Sequence, residues 1–278
     1  MQVTPRYGGS SLLTFDVPVD DPSVPTLRQR RRLAALLAGL DDRQWSAPSR
    51  CQGWAVRDVV AHLLTTNRFW TYSVTSGLAG EPTRFLTEFD PAASPAAMVA
   101  AMSEQTPADL LVQFVDSNQA LAGAIGNLDA DSWAAVAEAP QGHLPVSAVV
   151  LHALWDSWVH ERDIVMPLGM DPVLEEDELT ACLLYAAALG PTFLAVMGST
   201  REGTFAVEAT DVPHFVVDVG PEVHVRAGPA PAGTTALAGS AVDLIEALSC
   251  RAPPVDVPSP DRWMTEGLGR VFGTVGGA

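Results

Sequence analysis

The hydrophobic pattern of this 278-residue chain changes period once, and that change limits the folds open to it. Up to Gly169 the apolar residues recur at helical spacing in long runs. The first, PTLRQRRRLAALLAGLDD, places Leu33, Leu36, Leu37 and Leu40 on one side. The second runs from about Ala55 to Gly77, with Val56, Val59, Val60, Leu63 and Phe69 around His62. Residues 80–97, broken by prolines, read as a loop. A third helix follows from about Pro95 to Leu128, with a break allowed at Pro107. NLDADSWAAVAEAPQGHLP reads as a connection, and a fourth helix runs from Pro145 to about Leu168. Four long helices without strands between them predict a four-helix bundle.

Beyond Gly169 a helix over about 176–197 precedes TFAVEA, HFVVDV, EVHVRAG and TTALAG. These alternating segments, separated by turn residues, predict an antiparallel meander. SAVDLIEALSCR closes the pattern as a helix capped by Ser240, with Asp243 in its first turn. Helix, strands, helix is an α+β unit. The expected organisation is an extended tail over 1–25, with a short strand at Leu12–Val17, a helical unit over 26–170 and an α+β unit over 171–278.

Charge narrows the partners. The net charge is −17 and the chain has no basic stripe, so nucleic acid and anionic membranes are poor partners. The one basic cluster, Arg28, Arg30, Arg31 and Arg32, spreads around a helix and reads as a solvated face. No apolar run is read as long enough to span a bilayer. All 16 basic residues are arginine, a composition typical of GC-rich genomes such as those of actinobacteria. Cys51, Cys182 and Cys250 form no C-x-x-C pair, which predicts reduced thiols in the cytoplasm. Phosphate-loop, dinucleotide and nucleophile-elbow motifs are absent. Cys51 precedes the His62 helix, whose N-terminal field could acidify it, but an inert buried thiol is the favoured reading.

The chemistry-bearing pattern is LHALWDSWVHERDIV. Asp156 and His160 stand four apart, on one helix face, with Cβ atoms about 5–6 Å from each other. A carboxylate and an imidazole so placed can reach one metal ion at about 2.0–2.2 Å each, and His62 can add a third donor from a neighbouring helix. Three protein donors leave a position open for catalysis. His152 stands equally far from Asp156 on the other side. His152 and His160 lie about 12 Å apart along the axis, so only one joins the site, and spacing does not choose between them. Asp163, three residues after His160, can take the proton on the free ring nitrogen of a ligating histidine.

Three segments carry a family resemblance. Trp45-x5-Cys51-x-Gly53-Trp54-x2-Arg57-Asp58-Val59-x2-His62-Leu63 resembles the opening of the mycothiol-dependent maleylpyruvate isomerase family, within the DinB-like superfamily. Asp156-x3-His160-x2-Asp163-Ile164-x4-Gly169 resembles its second signature, and Thr235-x3-Gly239-Ser240-x2-Asp243-Leu244-x6-Arg251 that of its C-terminal domain. The resemblance covers about residues 26–275. It implies a multidomain α and α+β protein: a DinB-like four-helix bundle, then a smaller sterol-carrier-like α+β domain. It also implies that His62, Asp156 and His160 hold a divalent metal, most often zinc, with His160 taken over His152. Arg251 is implied as the arginine turned toward the active site, and mycothiol as the thiol cosubstrate. The family's middle ligand is usually glutamate, and here it is the shorter Asp156.

The expected function is therefore a metal-activated thiolate attacking a small electrophile. With Trp155 and Trp158 crowding the site, S-transfer or thiol exchange on a larger substrate is expected ahead of maleylpyruvate-type cis–trans isomerisation. The rivals are a metal-free protein binding a hydrophobic ligand, a thiol-independent metal hydrolase and, last, a zinc-dependent regulator of a sigma factor.

Overall fold

The computed structural model describes residues 3–17 and 21–273; residues 1–2, 18–20 and 274–278, parts of the expected tail and C-terminal unit, lie outside them. The helices are α1 (Ser23–Leu37), α2 (Asp42–Trp45), α3 (Val56–Leu78), α4 (Ala93–Ala100), α5 (Pro107–Ile125), α6 (Ala130–Ala134), α7 (Val146–Val165), α8 (Glu176–Val196), α9 (Ala241–Leu248) and α10 (Gly267–Phe272). The strands are β1 (Leu13–Asp16), β2 (Val136–Ala139), β3 (Gly142–Pro145), β4 (Gly203–Ala209), β5 (Phe215–Val219), β6 (Val223–Arg226) and β7 (Thr235–Gly239).

Local chemistry sets several of these boundaries. The expected third helix is two, because the chain turns before Pro107. There Thr106 caps α5 in a reciprocal box with Asp109, and Pro107 occupies the first turn. Ser240 caps α9 by accepting from the Asp243 amide.

Helices α1, α3, α5 and α7 pack on one another, with α4 against α3. Leu33, Leu37, Val59, Leu63, Leu110 and Phe114 form a fully buried core among α1, α3 and α5, closed by Ile164 of α7. A second core joins α7 to α8 and the large sheet through residues such as Leu154, Leu183, Phe205 and Val217.

Four expectations need correction. The connection before α7 contains an antiparallel hairpin, β2 with β3. Its four-residue strands are too short to show an alternating pattern. The five-stranded sheet has order β1-β6-β5-β4-β7 and is mixed. Its centre, β4-β5-β6, is antiparallel, but β7 runs parallel to β4 and β1 parallel to β6. The strand expected in the N-terminal tail is thus the edge of a sheet built from distant sequence.

Third, the basic cluster is not a solvated face. Arg30 is fully buried, with Nε donating to Asn67 and Nη2 to the Ala153 carbonyl. Arg32 bridges Glu161 of α7 and Glu178 of α8, and Arg28 pairs with Asp177 and Glu178. Carboxylates presented by α7 and α8 hold Arg28 and Arg32, and an amide and a backbone carbonyl hold Arg30; among the four, Arg31 faces solvent.

Fourth, α8 is long and apolar enough, by length and composition, to cross a bilayer. In this fold 83% of its apolar window is buried, between α7 on one side and the sheet, α9 and α10 on the other. Apolarity around the whole circumference is what such a central helix requires.

Candidate active site

Helices α3 and α7 run antiparallel, since His62 meets Asp156 and His160 while Trp70, two turns along α3, meets His152. His62 Nε2 lies 3.4 Å from Asp156 Oδ1, and His160 Nε2 lies 3.6 Å from the same oxygen. Two donors on a tetrahedral ion with bonds of about 2.0–2.1 Å stand roughly 3.3–3.4 Å apart. Both separations at Asp156 thus lie close to those that one divalent ion demands, and one donor atom from each of the three residues falls within 4.8 Å of the others.

Orientation comes from the surroundings. His160 Nδ1 lies 2.9 Å from Asp163 Oδ2, which accepts its N–H and turns the Nε2 lone pair toward Asp156. The His62 ring is held by rings instead: Trp54 at 5.5 Å between centroids and His160 at 4.8 Å. Its Nδ1 has no hydrogen-bond partner among the described residues. Thr66, one turn after His62, reaches Asp156 Oδ2 at 3.4 Å.

Asp163 is fully buried and is the hub behind the site. Arg251 grips it with Nε at 3.0 Å and Nη2 at 2.9 Å, and Arg50 Nε stands 3.3 Å away. Burial alone would raise the Asp163 carboxyl, but His160 and Arg251 hold it well below the usual range. Asp156 behaves alike: burial opposes ionisation, and His62, then His160 and His152, outweigh it. Burial lowers His160, against the opposing pull of Asp163 and Asp156.

Cys51 forms a second metal-compatible group with His160 and Asp163. Its Sγ donates to Asp163 Oδ2 at 3.1 Å, an oxygen already committed to Arg251 and His160. Burial, with Asp163 adding to it, pushes the thiol up to about 12, so no acidic thiol results from the neighbouring helix terminus. The open donors are those of His62, Asp156 and His160.

His152 stands apart from them. Its Nδ1 meets the Tyr185 hydroxyl at 2.6 Å, and its ring packs against Trp70, Trp155 and Tyr185. Burial takes it down to about 4, so it is neutral.

All this opens on a cavity of about 1070 Å³ between α3, α7, the 85–98 segment, α8 and the 249–251 turn. Several wall residues were not singled out from sequence. Thr66 and Trp70 lie four and eight positions after His62, a helical signal that was available, and Phe69 reads only as part of the apolar run. Arg50, Phe85 and Phe89 sit in segments read as loops, where no periodicity marks them.

Comparison with known proteins places the chain. The family model for the mycothiol maleylpyruvate isomerase N-terminal domain matches residues 26–165, half of the sequence. The chain belongs to this family. Its fold resembles the crystal structure of the mycothiol-dependent maleylpyruvate isomerase, with a TM-score of 0.60 and 16% identity. The match covers 87% of this chain and 94% of that one. A histidine-to-alanine mutant of that isomerase matches with the same values. No curated protein matches. Family membership makes this an α and α+β enzyme fold, with the His62–Asp156–His160 cluster inside the matched region and Arg251 beyond it.

Proposed function

We propose that the chain is a metal- and mycothiol-dependent enzyme acting on an unsaturated small molecule, with cis–trans isomerisation as its outcome. The observation that carries this is the cluster His62–Asp156–His160, with ion-compatible spacing at the base of a substrate-sized cavity, in a chain of this family. Two imidazoles and one carboxylate suit zinc, and Asp156 in place of glutamate keeps the donor type. A divalent cation held there supplies Lewis acidity that keeps a thiol ionised at neutral pH.

The chain's own residues do the rest. Asp163 holds the proton on His160 Nδ1, leaving Nε2 as a donor. Arg251 and Arg50 balance the charge of Asp163, so the hub stays ionised without drawing a proton from the site. Phe69, Trp70, Trp155 and Phe193 give the cavity beside the reacting thiolate an apolar lining. That thiolate adds to the alkene carbon β to a carbonyl, and the π electrons move onto the carbonyl oxygen. Rotation about the resulting single bond and expulsion of the thiolate restore the alkene in the trans form, with the thiol regenerated.

Family membership supports this outcome over S-transfer or thiol exchange, the outcome expected from sequence. The expected division into 26–170 and 171–278 fits the reading: the donor set comes from the first part and Arg251 from the second.

The test is turnover of a cis-configured conjugated ketone, followed by absorbance with mycothiol at substoichiometric concentration. Isomerisation requires many turnovers per thiol and loss of activity on chelation. Thiol consumed one for one would replace it with S-transfer, and turnover without thiol would overturn the reading.

A further inference from the structure

The cavity carries information about the substrate that the donor set does not. From His62 the wall along α3 proceeds through Thr66 to Phe69 and Trp70. At 1.5 Å per residue, Phe69 stands about 10 Å along the helix from His62. On α7 the corresponding step leads from His160 to His152, eight residues earlier, whose ring packs on Trp70 and Trp155. Phe85 and Phe89 of the connecting segment and Phe193 of α8 complete an aromatic chamber beyond the polar end.

The exposed apolar residues point to the same place. Tyr72, Phe85, Met98 and Phe272 are large, exposed hydrophobic side chains, and all four line this one cavity. They come from α3, the loop, α4 and α10, so no single amphipathic element explains their exposure. Contiguous exposed apolar surface of this kind marks a site that an apolar ligand covers.

The cations argue in the same direction. Arg251 is spent on Asp163. Arg50 is shared between Asp163 and Glu246. Arg68, on the rim, donates to Gln113. Arg50 and Arg251 are already matched by carboxylates, which leaves a small dianionic substrate only Arg68, exposed at the rim.

We infer that the electrophile is a neutral or weakly charged molecule carrying a bulky aromatic group about 10 Å from its reactive carbon, not a compact dicarboxylate. This rests on the thiol-addition reading and names the substrate class for it. The reactive carbon sits at the His62–Asp156–His160 end, and the aromatic group lies among Phe69, Trp70, Trp155 and Phe85.

The experiment measures equilibrium binding of two unreactive probes to zinc-loaded protein by calorimetry: 1-(biphenyl-4-yl)propan-1-one, the saturated form of an aryl vinyl ketone whose outer ring lies about 10 Å from the β carbon, and succinate. The biphenyl ketone is expected to bind at least tenfold more tightly than succinate. Phe85→Asp, at an exposed wall position, is expected to weaken the ketone tenfold or more while leaving succinate and the circular dichroism spectrum unchanged. Succinate binding as tightly as the ketone would overturn the inference, as would a ketone affinity indifferent to Phe85→Asp. The wild-type comparison stands even if the variant does not fold. Zinc content measured on the same samples reports separately on the metal reading, so failure of one is not mistaken for failure of the other.

Discussion

Replacing Asp163 with asparagine tests how the site is held. The carboxylate accepts the His160 Nδ1–H at 2.9 Å and hydrogen bonds from two nitrogens of Arg251. An asparagine at this position can present its amide hydrogens to Nδ1. The ring then protonates at Nε2 and loses the lone pair that faces Asp156. Removing a carboxylate that orients a ligating histidine costs 10–100-fold in metal affinity, or about 1.4–2.8 kcal/mol. A second effect acts on the fold. Breaking a buried ion pair from one side costs roughly 3–5 kcal/mol. Here Arg251 is 25% exposed, and Arg50, 20% exposed, keeps Glu246, so the lower end, about 3 kcal/mol, applies. For a chain of this size that corresponds to a fall in Tm of roughly 6–12 °C. Zinc affinity is read by competition with a chromogenic chelator and stability by calorimetry. Adding Arg251→Met is expected to restore much of the stability, because the orphaned cation is gone, but not the zinc affinity. An Asp163→Asn protein that binds zinc within twofold of wild type would refute the orienting role. So would a double variant that recovers zinc affinity along with stability.

Other residues yield further expectations. His152→Phe keeps full metal content, since His152 bonds Tyr185 and packs among rings away from the donors; loss of metal would return it to the ligand set. Glu246 ties α9 to Arg50 and Arg162. Burial disfavours its charge, yet those two arginines depress its pKa overall. A depressed folded pKa gives stability that is complete above the unfolded value of about 4.3 and is lost as pH falls through the folded one. Thermal unfolding from pH 6 down to 3 is therefore expected to show a shallower decline for Glu246→Gln than for wild type, and parallel curves would refute it. Gly267 lies where an added Cβ would stand 2.0 Å from the Gly190 carbonyl oxygen of α8. Because that contact is backbone, Gly267→Ala is expected to cost about 1–3 kcal/mol by pushing α10 away, with Leu268 and Phe272 displaced from the cavity wall. An unchanged Tm and probe affinity would contradict it.

What could be read from sequence followed local rules. The i, i+4 pair Asp156/His160 and the helical run holding His62 were legible because helix geometry alone puts such residues on a shared face. The central strands were legible from alternation, and the Ser240 cap from its residue type and its spacing to Asp243. What escaped depends on partners far away in the chain. Alternation identifies β1 and β7 as strands but not their parallel neighbours β6 and β4, which only the assembled sheet selects. Arg28 and Arg32 of α1 looked solvated because their carboxylates, Glu161 and Glu178, lie more than 120 residues away. Phe85 and Phe89 line the cavity from a segment without regular structure, where aromatic residues follow no period. Arg251 was singled out by resemblance alone, and the structure turns it onto Asp163, behind His160.

The most direct test of the account is metal content. Protein purified and reconstituted with zinc, then dialysed, is assayed by elemental analysis beside His160→Ala. The geometry of His62, Asp156 and His160 predicts one tightly held divalent ion per chain in the wild type and its loss in the variant. A wild type that retains no metal, or a variant that retains as much, would contradict the central claim.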